Sequence, residues 1–218
     1  MLVVTHENKT KAAGKRAAPA KINSAAAQNI AGEHAGSKLT VLTIGHSTRT
    51  IGEFLAILAA HGVERLVDVR SIPKSRRVPQ FNSDALATSL HNQRIEYLHM
   101  KSLGGLRHAK KDSVNLGWRN ASFRGYADYM ATDEFRDGLS RLLDLAREKR
   151  IAIMCAEAVP WRCHRSLIGD ALVARGVHVE DIMSATLRRE HALTPFAKID
   201  GLNVFYPAVI EQAKLPLS

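Results

Sequence analysis

The sequence predicts a single three-layer α/β domain, with a mostly parallel, Rossmann-like or flavodoxin-like sheet and one lid-like inserted loop. Three observations carry this. Short apolar runs of strand length occupy residues 39–44, 66–69, 95–100, 151–154 and 177–182, each bounded by turn residues. Between most of them lie segments whose apolar residues recur at helical spacing and are opened by a capping residue or closed by glycine. Strands alternating with helices require parallel pairing, and right-handed crossovers then carry every strand exit to one edge of the sheet.

The bulk properties agree. The chain has 218 residues, 45% hydrophobic and 24% charged, enough for one soluble domain with a sizeable core. No apolar run approaches the roughly 18 residues that span a bilayer, so no membrane partner is expected. The first four residues are apolar but too few for a signal peptide. Two cysteines argue against a disulfide-stapled secreted fold and for a reducing cytoplasm. The net charge of +10 points to anionic partners.

Taken in order, residues 1–38 form an Ala/Lys/Gly/Ser-rich segment that cannot bury enough surface to offset ordering entropy. This is expected to be a disordered basic tail; contact with nucleic acid is the alternative to a merely solvated one. Residues 39–218 are expected to form the domain. After the first strand, Thr50 and Glu53 make a capping box; Ile51, Phe54, Leu55 and Leu58 give the stripe, and Gly62 the stop. The second strand runs into PKSRRVPQF, a proline-punctuated basic loop, and Asn82 is placed to cap the next helix. Residues 102–130 break the rhythm and are predicted as the inserted loop. Thr132 caps a helix carrying Phe135, Leu139, Leu142, Leu143 and Ala146. The fourth strand then leads to a helix predicted to begin near Cys163 and end at Gly176.

Five motifs recur in one known pattern: TIGHST at 43–48, DVRSIPKSRR at 68–77, LGGLR at 103–107, FRGYADYM at 123–130 and CAEAVPWRCHR at 155–165. Together, over residues 39–182, the chain resembles the domain of unknown function 488 family (DUF488). The resemblance implies an α/β domain with a motif-lined site and supplies no substrate.

The predicted geometry gathers the motifs at the strand exits, where ligands bind in open α/β sheets. Candidate ligand-binding residues are Gly45, His46, Ser47, Asp68, Arg70, Arg76, Arg77, His99, Gly104, Gly105, Arg107, Arg124, Tyr126 and Arg165. The arginines suit phosphate or carboxylate, and a helix N-terminus near Cys163 would aim N–H groups at an anion. Alternatively, these arginines pair with Asp68, Glu157 and Asp128 as structural ion pairs. No P-loop or dinucleotide fingerprint occurs.

Candidate catalytic residues are Glu157, Cys155, Cys163 and His164. Cys163 beside His164 and Arg165 should form thiolate readily. Cys155 at a strand end resembles the nucleophile position of thiol phosphatases, but Glu157 would repel an anion there. Cys155, Glu157, Cys163 and His164 are all zinc-ligand types, yet no C-x-x-C spacing exists. Adjacent Cys163 and His164 on a helix would point about 100° apart. No metal or cofactor is therefore assigned. The leading expectation is an enzyme or binder of a phosphorylated or nucleotide-like ligand at the sheet edge. The alternatives are a basic nucleic-acid-binding module and a Cys/His metal or thiol redox site.

Overall fold

The computed structural model describes residues 38–208. The expected basic tail, Lys38 apart, lies outside the described residues. Six strands make one mixed sheet: β1 (Thr40–Gly45), β2 (Arg65–Asp68), β3 (Glu96–His99), β4 (Ile151–Cys155), β5 (His178–Ile182) and β6 (Arg188–Glu190). The order is β3-β2-β4-β1-β5-β6; β6 runs antiparallel to β5 and the other pairings are parallel. The predicted α/β architecture holds at that level. The strand order differs from the Rossmann order 3-2-1-4-5-6 and from the flavodoxin order 2-1-3-4-5.

Side chains alternate across the central strands and so build two cores. Val41, Ile151, Ile153 and Val179 face α3 (Ala121–Tyr129), α4 (Asp133–Glu148) and α5 (Arg165–Val173). Leu42, Ile44, Ala152 and Met154 face α1 (Ile51–Ala60) and α2 (Ser83–His91). This arrangement positions the site. The chain leaves β4 for α5 on one face, whereas its neighbours β1 and β2 lead to α1 and α2 on the other. Connections departing to opposite faces open a crevice, here at the end of β4.

The capping box of α1 forms as predicted, with reciprocal Thr50–Glu53 bonds, and Gly62 ends the helix with φ at +62°. Thr132 caps α4 by accepting from the Phe135 N–H. Asn82 precedes α2 but does not cap it; its Oδ1 accepts from the Ser75 N–H at 2.6 Å and braces the proline loop.

The predicted lid needs a second correction. Residues 102–120 are mostly loop, but Asn120 then caps α3, whose Tyr126, Ala127, Asp128 and Tyr129 are buried. About a third of the supposed insert is therefore core. Two short polar strands escaped prediction, β6 and β7 (Lys198–Asp200); β7 pairs with β8 (Asn203–Phe205) in a hairpin.

Behind the sheet edge lies a buried polar network. Protonated His191 can donate both ring N–H groups to carboxylates, Nε2 to Asp170 at 3.0 Å and Nδ1 to Asp181 at 3.2 Å. Tyr206 donates to Asp170 and Thr43 to Asp181. Burial opposes the charge on His191, but the two carboxylates outweigh it and raise its pKa from 6.5 to about 9. A group whose folded pKa is raised stabilises fully below its unfolded pKa and loses that contribution as pH climbs through the folded one. The urea midpoint is therefore expected to fall between pH 6.5 and about 9. His191→Gln should show a lower midpoint at neutral pH and a flatter decline over that window.

Candidate active site

The end of β4 is held from both sides. His46 and Ser47 continue the β1 ladder by donating to the carbonyls of Cys155 (3.0 Å) and Ala156 (2.9 Å), and Val69 donates to Met154 (3.0 Å). The chain after β4 then crosses directly over the end of β1. A Cβ at position 45 would stand 1.7 Å from the Glu157 carbonyl oxygen, so glycine is required there. From below, Arg165, only 1% exposed, donates to the carbonyls of Glu157 (2.8 Å) and Ala158 (3.0 Å) and to Thr43 Oγ1.

This loop carries the sulfur chemistry. Cys163 is extended (φ −138°) after a short turn over Pro160–Arg162, and His164 precedes α5. The predicted helix start near Cys163 is thus two residues early. Because Cys163 and His164 stand outside regular helix, their side chains converge. His164 Nδ1 lies 3.8 Å from Cys155 Sγ and 3.7 Å from Cys163 Sγ, and the three atoms lie within 4.8 Å of one another.

The His164 tautomer follows from its other nitrogen. Nε2 is 3.0 Å from the Val69 carbonyl, which can only accept, so Nε2 carries the proton. In the neutral ring Nδ1 therefore presents its lone pair to both sulfurs, and a thiol proton taken there leaves an imidazolium whose Nδ1–H donates to the thiolate. The thiols share charge unequally. A hydrogen bond from Cys163, aided by His164 and opposed by burial, pulls Cys155 well below its usual pKa; Cys163 is pushed up, first by that bond.

Above the cluster opens a cavity of about 400 Å³ between Arg70, Ser71, Gly105, Phe123, Glu157 and Arg162. Glu157 and Arg70, distant in sequence, thus share one basin, and the predicted catalytic set meets in it. Most predicted arginines do not. Arg76 and Arg77 are exposed on the proline loop, and Arg107 stacks on Tyr129 at 3.6 Å. Arg124 is half-buried on α3, and Arg165 is spent on carbonyls. None of these five lines the cavity. Arg70 does, but it is paired with Asp68 through Nε (2.9 Å) and Nη2 (2.6 Å), the structural ion pair foreseen as the alternative. The helix N-terminus is also occupied, since Ser166 and Leu167 donate to the Cys163 and His164 carbonyls.

The remaining candidates are scaffolding. His46 is buried against Phe81, with ring centroids 4.3 Å apart; Nδ1 donates to the Ser47 carbonyl and Nε2 faces Arg70. Burial, foremost, lowers its pKa and keeps it neutral. His99 donates to the Arg70 carbonyl at 2.8 Å. Tyr126, fully buried, donates to the Leu103 carbonyl and packs 5.0 Å from the His164 ring. It thereby seats the Gly104–Gly105 loop. Sequence reasoning missed Arg162, Ser71 and Phe123 as cavity residues, although each lay inside or beside a motif already singled out.

Gly105 explains the LGGLR motif. A Cβ there would lie 2.4 Å from His164 Nδ1. Gly105→Ala is thus expected to push the ring off the sulfurs and raise the pH at which the first thiolate forms. A pH titration of ultraviolet thiolate absorbance on chelator-treated protein measures this, and an unchanged midpoint would show that His164 does not support the thiolate.

Among characterised proteins, no curated sequence and no solved structure matches this chain. The family model "Domain of unknown function DUF488" matches residues 50–172, from the start of α1 through nearly all of α5. The matched span holds β2, β3, β4 and every residue of the sulfur–imidazole cluster. By that match the chain belongs to the DUF488 family.

Proposed function

We propose that this chain is a metal-dependent hydrolytic enzyme, holding a zinc-type divalent ion on Cys155, Cys163 and His164 with the fourth position facing the cavity. The observation that carries the reading is the meeting of two sulfurs and an imidazole lone pair within 4.8 Å. Tetrahedral zinc, with bonds of about 2.3 Å to sulfur and 2.0–2.1 Å to nitrogen, would separate S and N by about 3.6 Å. The observed 3.8 and 3.7 Å need only a small inward movement. The Val69 carbonyl on Nε2 is the support that metal-bound histidines ordinarily receive. Three protein ligands beside an open space are the pattern of a catalytic rather than a structural site.

A nucleophilic cysteine is the competing reading. The two thiols are 7% and 3% exposed, which hampers attack by sulfur but not ligation. The bound ion would supply a Lewis acid and an acidified water. Glu157 lies in the same cavity, exposed, and can take a proton from water as oxygen adds to an acyl or amidine carbon. The same carboxyl then returns the proton to the leaving group.

The purified chain is expected to carry about one zinc or to take up cobalt with thiolate-to-metal absorption. Cys155→Ser and Cys163→Ser should lose it. Equal metal content in wild type and both variants would overturn the proposal. Glu157→Gln should keep the metal and the melting temperature while losing on the order of 10²–10⁴-fold in rate on a chromogenic ester or amidine panel.

A further inference from the structure

We propose that the ligand taken above the Cys155–Cys163–His164 centre is a small monocarboxylate with an apolar body of one or two rings, its carboxylate received by Arg162. The inference rests on the reading of this cavity as the active site and goes on to its substrate class.

Charge comes first. Two guanidinium groups, Arg70 and Arg162, and one unburied carboxylate, Glu157, line the cavity, so an anion is received only at the end where a guanidinium is unspent. Arg70 is used up: it grips both oxygens of Asp68, donates to the Phe81 carbonyl at 2.8 Å, and faces His46 Nε2 at 3.3 Å. Arg162 is exposed, and among the described residues its side chain makes no hydrogen bond or ion pair, Glu157 in the same cavity included. One unspent planar fork matches one carboxylate, accepted through two parallel N–H bonds.

A polyphosphate needs more than this. Nucleotide sites cradle phosphates with runs of free backbone N–H groups or a free helix N-terminus. Here the first turn of α5 is engaged, and Leu106 N–H donates to Ser71 Oγ at 2.9 Å. The phosphorylated or nucleotide-like ligand expected from the sequence thus loses the donors it was expected to use.

The rim supplies the rest. Ile72 is 64% exposed and Leu106 70%, and both line this cavity with the half-buried Phe123. Covering such side chains removes apolar surface from water and favours a ligand with an apolar body. A space of about 400 Å³ lies at the small end of ligand cavities and suits a compact ring system. The ligand so described is an anion at one end, apolar along its body, and hydrolysable where it meets the floor.

Isothermal calorimetry on the full chain as purified, whatever metal it carries, tests this with 2-naphthoate, 2-naphthylmethanol, 2-naphthylmethylamine, 2-naphthyl phosphate and acetate. Naphthoate is expected to bind about tenfold or more tighter than the alcohol, the amine and acetate. Arg162→Ala, with an unchanged melting temperature, should erase the advantage over the alcohol. Arg76→Ala/Arg77→Ala, outside the cavity, should retain it and so exclude general attraction to a basic protein. No binding of naphthoate, equal binding of acid and alcohol, indifference to Arg162→Ala, or a tenfold preference for naphthyl phosphate would each overturn the proposal. Metal content, measured on the same samples, reports separately on the metal reading: naphthoate bound through Arg162 to metal-free protein would sustain this inference while removing the other.

Discussion

The site depends on one buried guanidinium. Arg165 sits at the start of α5, sealed from solvent, and a charge so placed must find acceptors or be strongly destabilising. Those acceptors are the main-chain carbonyls of Glu157 and Ala158 with the Thr43 hydroxyl, and Thr43 in turn donates to Asp181. The loop after β4 must therefore turn its carbonyls inward. It can do so only because Gly45 leaves room for the Glu157 carbonyl to pass over the end of β1. The inward backbone brings Cys163 back beside Cys155. The loop after β4 is thus shaped by a buried charge that does not itself line the cavity.

The same division of labour runs through the other charged groups. Asp68 binds Arg70 and receives the Tyr97 hydroxyl at 2.8 Å, locking the exit of β2 under the cavity wall. Asp128, expected only as an arginine partner, instead accepts from Ser113, Asn115 and the Lys110 N–H, organising the loop before α3. Its pKa is lowered: burial works against the charged form, and the three donors prevail. These groups cost desolvation and are each fully paired, which is what lets irregular loops hold fixed shapes near a cavity.

Much of this was legible in the sequence. The five main strands, the α1 capping box and the gathering of motifs at one edge followed from periodicity and from the handedness of crossovers, which are local or general constraints. What stayed hidden was how each arginine would be used. Six arginines in motif loops look alike as letters, because a guanidinium that binds a ligand and one that binds a carbonyl use the same donors. Only the fold distinguishes Arg165, under the loop, from Arg162, above it, three residues away. The inserted helix was lost for a different reason. Its glycine and small polar residues lower helix propensity, and packing of Tyr126 against Phe135 and His164 overrides that preference. Spacing also misled about ligation, since the 100° separation of adjacent residues applies only inside a helix, and Cys163 lies before one.

How the cluster is supported bears on what an ion would do there. In a zinc finger the ligands come together only when metal binds, so the ion's binding free energy is largely folding free energy. Here each of the three proposed ligands is already placed by something else. Cys155 ends a strand paired on both sides, His164 is fixed by the Val69 carbonyl and the Gly105 backbone, and Cys163 is tied to the start of α5 through its own carbonyl. A centre assembled in advance lets an ion bind without ordering the chain, so its coordination energy is not consumed in folding. It also leaves one face of the cluster toward the cavity rather than wrapped in protein. Pre-placed ligands with an open face suit an ion that must exchange water and substrate. For that reason the arrangement favours a reacting centre over a structural staple.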